Sequence, residues 1–185
     1  MIAHAETFRF SVEQYEALWE AGVFHDDNRV ELLDGEIIRR RAGGIYHIKS
    51  VRRLLNQCAK HYADLCFVDC QNPVVFDNFS EPQPDILLLA LSIDDGLEKP
   101  SPADVFLAVE VADSSLHYDS SAKLRAYARS GIPEYWIVNL TESRVEVHRQ
   151  PQGESYAETF HRSSGETLAP AAFPDRPIAV ADILP

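Results

Sequence analysis

Long apolar runs are missing from this sequence. The two longest, Ile86–Leu91 and Val105–Val109, are far too short to cross a bilayer, so no membrane role is expected. The opening residues, MIAHAETFRF, lack a basic segment followed by an apolar one. No signal peptide is expected, and a cytoplasmic location follows. Cysteine is scarce. Cys58, Cys66 and Cys70 are odd in number and form no CxxC pair, which argues against a disulfide framework and suits a reducing compartment. His61, Cys66 and Cys70 have neither a fourth ligand nor a usual zinc spacing, so the thiols are expected in the core. There is no GxGxxG after a strand, no P-loop, no HExxH and no GxSxG, which removes four common ways of building a site.

Acidic residues are also missing, but only locally. From Ile37 to Ala63 there is no Asp or Glu, while seven of the 17 basic residues fall there: Arg39, Arg40, Arg41, Lys49, Arg52, Arg53 and Lys60. The chain as a whole carries a formal net charge of −12, which opposes tight binding to a polyanion. One basic segment in an acidic chain is either a solvated helix face or a face that meets phosphate.

The 185 residues, 45% hydrophobic and 25% charged, suit one globular domain spanning 1–185. Ser11 with Gln14 forms a capping box for a helix that Gly22 ends. Asp34-Gly35 between apolar-rich runs predicts a two-residue hairpin pairing Leu33 with Glu36 and Glu31 with Ile38, which leaves Glu31 half-buried. Ile45 to Tyr62 reads as a helix with Ile48, Val51, Leu55, Cys58 and Tyr62 as its apolar stripe and His47 at its edge. Short strands are expected at Cys66–Asp69 and Val74–Phe76. Buried strands follow at Pro84–Ala90, Asp104–Ala112 and Glu134–Asn139. A helix from Ser115 to Ser130 links the last two as a parallel crossover, and a C-terminal hairpin and a short Ile178–Val180 strand complete the chain. The class is mixed α/β, a sheet containing one parallel pair with hairpins around it.

Glu110 is the most informative residue. It sits inside VFLAVEVA, a strand that should be buried, where an ionised carboxylate is costly unless paired or bound to metal. Asp85 is the parallel case at the entry to ILLLA. Two carboxylates converging on one sheet edge suit a hard divalent cation, with water and phosphate filling the other positions. The alternative is two strand-end carboxylates reaching solvent. Asp119, Lys123 and Tyr127 stack at helical spacing on the next element. Either Asp119 and Lys123 form an exposed pair, or the helix carries the ammonium to the metal edge.

At these residues the chain resembles the Uma-type restriction endonucleases, a bacterial branch of the PD-(D/E)XK nuclease superfamily. The likeness rests on RVELLDGEII, EPQPDILLL and VEVADSSLHYDSSAKLRAYARSGIPEYWIVN, and extends to FPDRPIAVADIL. It implies a restriction-endonuclease-like mixed central sheet flanked by helices, with β-hairpins at both ends and a magnesium site. Pro84-Asp85 is similar to the PD element and Glu110-Val111-Ala112 to the (D/E)XK element. Ala112 stands where that element has lysine, and Lys123 matches a lysine moved to the following helix. Glu31 matches an acidic residue of the first hairpin, and His47 a histidine at a helix start. The implied chemistry is metal-dependent hydrolysis of nucleic acid, DNA first. Asp85, Glu110 and the Val111 carbonyl would hold Mg2+ or Mn2+, with Lys123, Glu31 and His47 as further catalytic candidates. Arg39, Arg40, Arg41, Lys49, Arg52 and Arg53 would hold the nucleic-acid backbone. Cutting both strands of a duplex would imply a C2 homodimer. Two other readings stay open: a catalytically inactive nuclease-fold module that binds nucleic acid or a protein, and a hydrolase of other phosphate esters.

Overall fold

The computed structural model describes residues 6–25, 28–40, 42–95 and 98–185. Helix α1 (Val12–Glu20) opens on the expected box: the Gln14 N–H donates to the Ser11 hydroxyl, and the Ser11 N–H donates to the Gln14 side chain. Strands β1 (Val30–Leu33) and β2 (Glu36–Arg39) pair in the expected register, Leu33 with Glu36 and Glu31 with Ile38. Their turn puts both Asp34 (φ 52°) and Gly35 (φ 79°) in the left-handed region, as a two-residue hairpin turn of this twist requires.

Helix α2 (Ile45–Tyr62) has the expected bounds but a different inner face. Ser50, Val51, Leu54, Cys58 and Tyr62 are buried, Leu55 is half-buried and Ile48 is exposed. The buried face includes a polar residue with a dedicated partner, which apolar counting overlooks: the Ser50 hydroxyl donates to the Ile183 carbonyl at 2.6 Å.

The central sheet has six strands in the order β3 (Phe67–Cys70), β4 (Ile86–Leu89), β5 (Val105–Ala112), β6 (Glu134–Asn139), β7 (Arg144–Gln152) and β8 (Ser155–Ser163). Only β5 and β6 run parallel; the other neighbours are antiparallel. The expected strand at Val74–Phe76 does not form. Its N–H groups divide between two segments, those of Val74 and Phe76 going to the carbonyls of Pro82 and Ser80 and that of Val75 to Pro100. Among the described residues the only bridge formed there is the isolated one of Asp77 with Ser80. Near the C-terminus β9 (Thr167–Leu168) pairs with β10 (Ile178–Ala179), and Val180 already belongs to a 3-10 turn.

The expected helix from Ser115 to Ser130 is broken into α3 (Leu116–Tyr118), a π-helical turn (Asp119–Lys123) and α4 (Leu124–Arg129). Ser120 donates to the Leu116 carbonyl at 2.7 Å, and the Ser121 hydroxyl donates to that of His117. Such hydroxyl back-bonds compete with the helical ladder and loosen it locally.

Alternation along β5 divides the core. Leu107, Val109 and Val111 pack on the α2 side with Leu54, Cys58 and Trp136. Ala108 and Ala112 face the other way, toward Tyr127, Ala128 and Tyr135. Glu110 has the parity of the alanines, so it faces α4. Among the described residues no helix is long and apolar enough to cross a membrane.

Candidate active site

The two alanines beside Glu110 leave room above β5, and α4 with its π turn fills it. The Lys123 ammonium donates to Glu110 Oε1 at 2.7 Å, and the Tyr127 hydroxyl donates to the same oxygen at 3.0 Å. Lys123 also lies 3.0 Å from Glu31 Oε2, at an exposure of only 2%. The expectation of an exposed Asp119–Lys123 pair therefore fails: both side chains are buried. Burial pushes the Glu110 carboxyl well above the usual carboxylate range, against the pull of Lys123. Burial works against the Lys123 charge too, but Glu110 and Glu31 outweigh it and raise its pKa.

Glu31 is more buried than expected, at 1% exposure. Its Oε2 accepts the Gln83 N–H at 3.1 Å, and its Oε1 is buried with no partner among the described residues.

Asp85 lies one residue before β4. Its Oδ2 accepts the Val111 N–H at 2.9 Å and meets His47 Nε2 at 3.1 Å, while its Oδ1 accepts from Gln71 Nε2 at 3.0 Å. Arg40 stands 3.6 Å from Oδ1. Burial alone would raise this carboxyl, but hydrogen bonding and charge from His47, with Arg40 and Gln71, hold it down at about 2.

Glu31, Arg40, His47, Asp85, Glu110 and Lys123 line one cavity of about 380 Å³, which Asp119, Tyr118, Gly43 and Gly44 also border. A more voluminous groove of about 550 Å³ lies beside α1, lined by Tyr15, Trp19, Glu81 and Lys99, but Asp85, Glu110 and Lys123 are not in it. The chemistry points to the smaller one.

All five catalytic candidates, Glu31, His47, Asp85, Glu110 and Lys123, thus meet in one place. Of the basic candidates, Arg39 and Arg40 line the cavity, whereas Lys49 and Arg52 lie exposed outside its lining. Arg53 donates to the Leu184 carbonyl and is committed to the C-terminal segment. Arg41 lies outside the described residues. Sequence reasoning missed Gln83, whose side chain accepts from Arg40 at 3.0 Å while its backbone serves Glu31. Its signal was present: Pro82 and Pro84 flank it and stiffen the segment before Asp85. The buried Tyr118 hydroxyl, which has no partner among the described residues, carried no signal at all.

The model of the family Uma2, described as putative restriction endonuclease, matches residues 12–181. The chain belongs to that family. A crystal structure described as a putative nuclease belonging to DUF820 from Anabaena variabilis ATCC 29413 has a TM-score of 0.74 with this chain. It is 14% identical, and the match covers 94% of this chain and 97% of that one. At such identity the likeness shows the fold, a restriction-endonuclease-like mixed sheet flanked by helices with hairpins around it. No curated protein matches the chain.

In this Uma2 chain the position of Lys123 has a physical account. Residue 112 shares the Glu110 face of β5, so a lysine there would enter the same space. Ala112 packs in the apolar layer instead, and Lys123 brings an ammonium into that space from above the sheet.

The donor set suits a hard divalent cation in kind: carboxylate oxygens in one cavity, with one buried oxygen of Glu31 unpartnered. Among the described residues no three acidic, His or Cys side chains already stand close enough to share an ion. Other side chains hold the carboxylates instead, with the Lys123 ammonium on Glu31 and Glu110, and the Arg40 guanidinium and the His47 ring on Asp85. At Val111 it is the N–H that meets Asp85.

Proposed function

We propose that the chain is a metal-dependent endonuclease that hydrolyses phosphodiester bonds of nucleic acid, DNA first. The observation that carries this reading is the meeting of Glu31, Asp85, Glu110 and Lys123 in one cavity, from four separate segments of the chain. A purely structural ion pair needs two of them.

Asp85 and Glu110, with the Val111 carbonyl, would hold Mg2+ or Mn2+. Bound there, such an ion lowers the pKa of a coordinated water and offsets charge on the attacked phosphate. Lys123, a cation set between two carboxylates, would hold the attacking water and neutralise charge on the phosphoryl oxygens. Water oxygen would bond to phosphorus as its proton is given up, the phosphorus–oxygen bond to the leaving strand would break, and the leaving oxygen would take a proton from solvent water. Glu31, through its unpartnered oxygen, would accept a proton from the water or orient it. His47 fixes the Asp85 carboxylate. Arg39 at the cavity wall would contact the strand backbone without reading bases.

The test is plasmid nicking in Mg2+ and in Mn2+ by wild type and Glu110→Ala, purified side by side. Cleavage by wild type alone supports the reading. Equal cleavage by both removes the site. Cleavage by neither favours the second reading, an inactive nuclease-fold module, for which Ala112 at the lysine position speaks.

A further inference from the structure

Three of the large apolar side chains that remain exposed sit on the first turn of α2: Ile45 at 67%, Tyr46 at 61% and Ile48 at 47%. Gly43, Gly44 and His47, their chain neighbours, line the active-site cavity. At ~100° per residue, His47 falls on the inner face with Val51, Leu54 and Cys58, while Ile45, Ile48, Lys49 and Arg52 share the outer face and Tyr46 flanks it. Lys49 and Arg52 are exposed, as is Arg39 on the cavity wall, and none of the three makes an ion pair among the described residues. An aromatic ring, two isoleucines and two cations without an ion pair among the described residues thus stand exposed on the first two turns of α2, directly after the Gly43–Gly44 segment that lines the cavity, with no acid nearby in the sequence.

This surface fits a nucleic-acid strand whose bases are unstacked. Aromatic rings beside cations are what a single strand uses, the ring taking a base and the cations the phosphates. A duplex keeps its base faces covered. The depth of the site points the same way. Glu31, Asp85, Glu110 and Lys123 are exposed by only 1–3%, in a cavity of about 380 Å³. Duplex DNA, stiff over ~150 base pairs, keeps its phosphates on the outside of a rod. A flexible strand can fold one phosphate inward.

Resting on the nuclease reading for its chemistry, we propose that this site takes single-stranded nucleic acid, entering across the first turn of α2 with a base stacked on Tyr46 and its phosphates on Arg39, Lys49 and Arg52.

The experiment is fluorescence anisotropy in chelator, where nothing is cut, with a labelled single strand, its duplex and the RNA version of the strand. Wild type, Tyr46→Ala and Tyr46→Phe are compared, and each is melted to establish folding. The single strand is expected to bind about tenfold more tightly than the duplex, with Tyr46→Ala losing about that factor and Tyr46→Phe keeping most of it. Equal binding of the RNA version supports the proposal, assigning the surface to the strand and not to its sugar. Preference for duplex, or undiminished binding by Tyr46→Ala, overturns it. So does a shift from dimer to monomer by Tyr46→Ala in sedimentation, which would make this face a contact between copies. In Mg2+, faster cutting of duplex than of single strand sinks this inference and leaves the nuclease reading standing. Cutting of neither removes the nuclease reading, while anisotropy still decides the strand preference.

Discussion

Lys123 Nζ lies 2.7 Å from Glu110 Oε1, thirteen residues back along the chain, and both groups are almost wholly buried. A second carboxylate, Glu31, stands 3.0 Å from the same ammonium. Removing one member of a buried pair leaves its partner charged without compensation, at a cost of about 3–5 kcal/mol. Lys123→Met would leave two buried acids facing each other. It is expected to lose about 3 kcal/mol of stability in chelator, measured by urea unfolding. A loss under about 1 kcal/mol would mean that the acids discharge by taking up protons, and the pair would then count for little.

How much of this was legible beforehand divides by the range of the interaction. The Ser11 box, the Asp34-Gly35 turn and the bounds of α2 are local, and sequence sufficed for them. Glu110 and Asp85 stood out because a carboxylate in a buried strand is anomalous whatever surrounds it. The partner of Glu110 was not legible from pattern alone. An Asp–Lys pair at helical spacing looks the same on an exposed helix, and only the packing of α4 on the sheet buries it. The π turn depends on two serine hydroxyls choosing carbonyls over solvent. The failed strand at Val74–Phe76 has suitable residues, but the segment beside it, 80–82, contains Pro82, which has no N–H to return a ladder bond. For the nearness of Lys123 to the buried carboxylates, family resemblance supplied what periodicity did not.

Gly43 should matter through His47. A Cβ at residue 43 would overlap His47 Nδ1 and stand 2.7 Å from its Cγ. The ring would have to swing, and its 3.1 Å contact with Asp85 would open. Gly43→Ala is expected to lower cleavage by about tenfold and to lose only the part of the stability that the His47–Asp85 contact supplies, because residue 43 itself is not in the core. Cleavage equal to wild type would show that the His47 contact is dispensable.

Asp85 ties stability to acid pH. Its carboxyl lies at about 2 in the folded protein against an ordinary value of 3.8. A depressed carboxylate stabilises the fold above its unfolded value and loses that contribution as pH falls through the folded one. Asp85 should thus contribute about 2 kcal/mol above pH ~4, fading toward pH ~2. In chelator, wild-type stability should fall across this window, and Asp85→Asn should show a shallower fall from a lower starting point. Parallel curves for the two proteins would assign the acid limb to other carboxylates.

Glu110→Gln separates metal binding from folding. An unpaired buried carboxylate would make this variant more stable than wild type, since it removes a charge from the core. The pairing found here takes away that reason. The amide oxygen of glutamine can still accept from Lys123 and Tyr127, and Lys123 keeps its contact with Glu31. Stability in chelator is expected to stay within about 1 kcal/mol of wild type. Mn2+ affinity, read by titration calorimetry, is expected to vanish, because a neutral amide is a poor substitute for a carboxylate at a hard cation. Unchanged Mn2+ affinity would take Glu110 out of the metal site and leave it as the anchor that holds Lys123 in place.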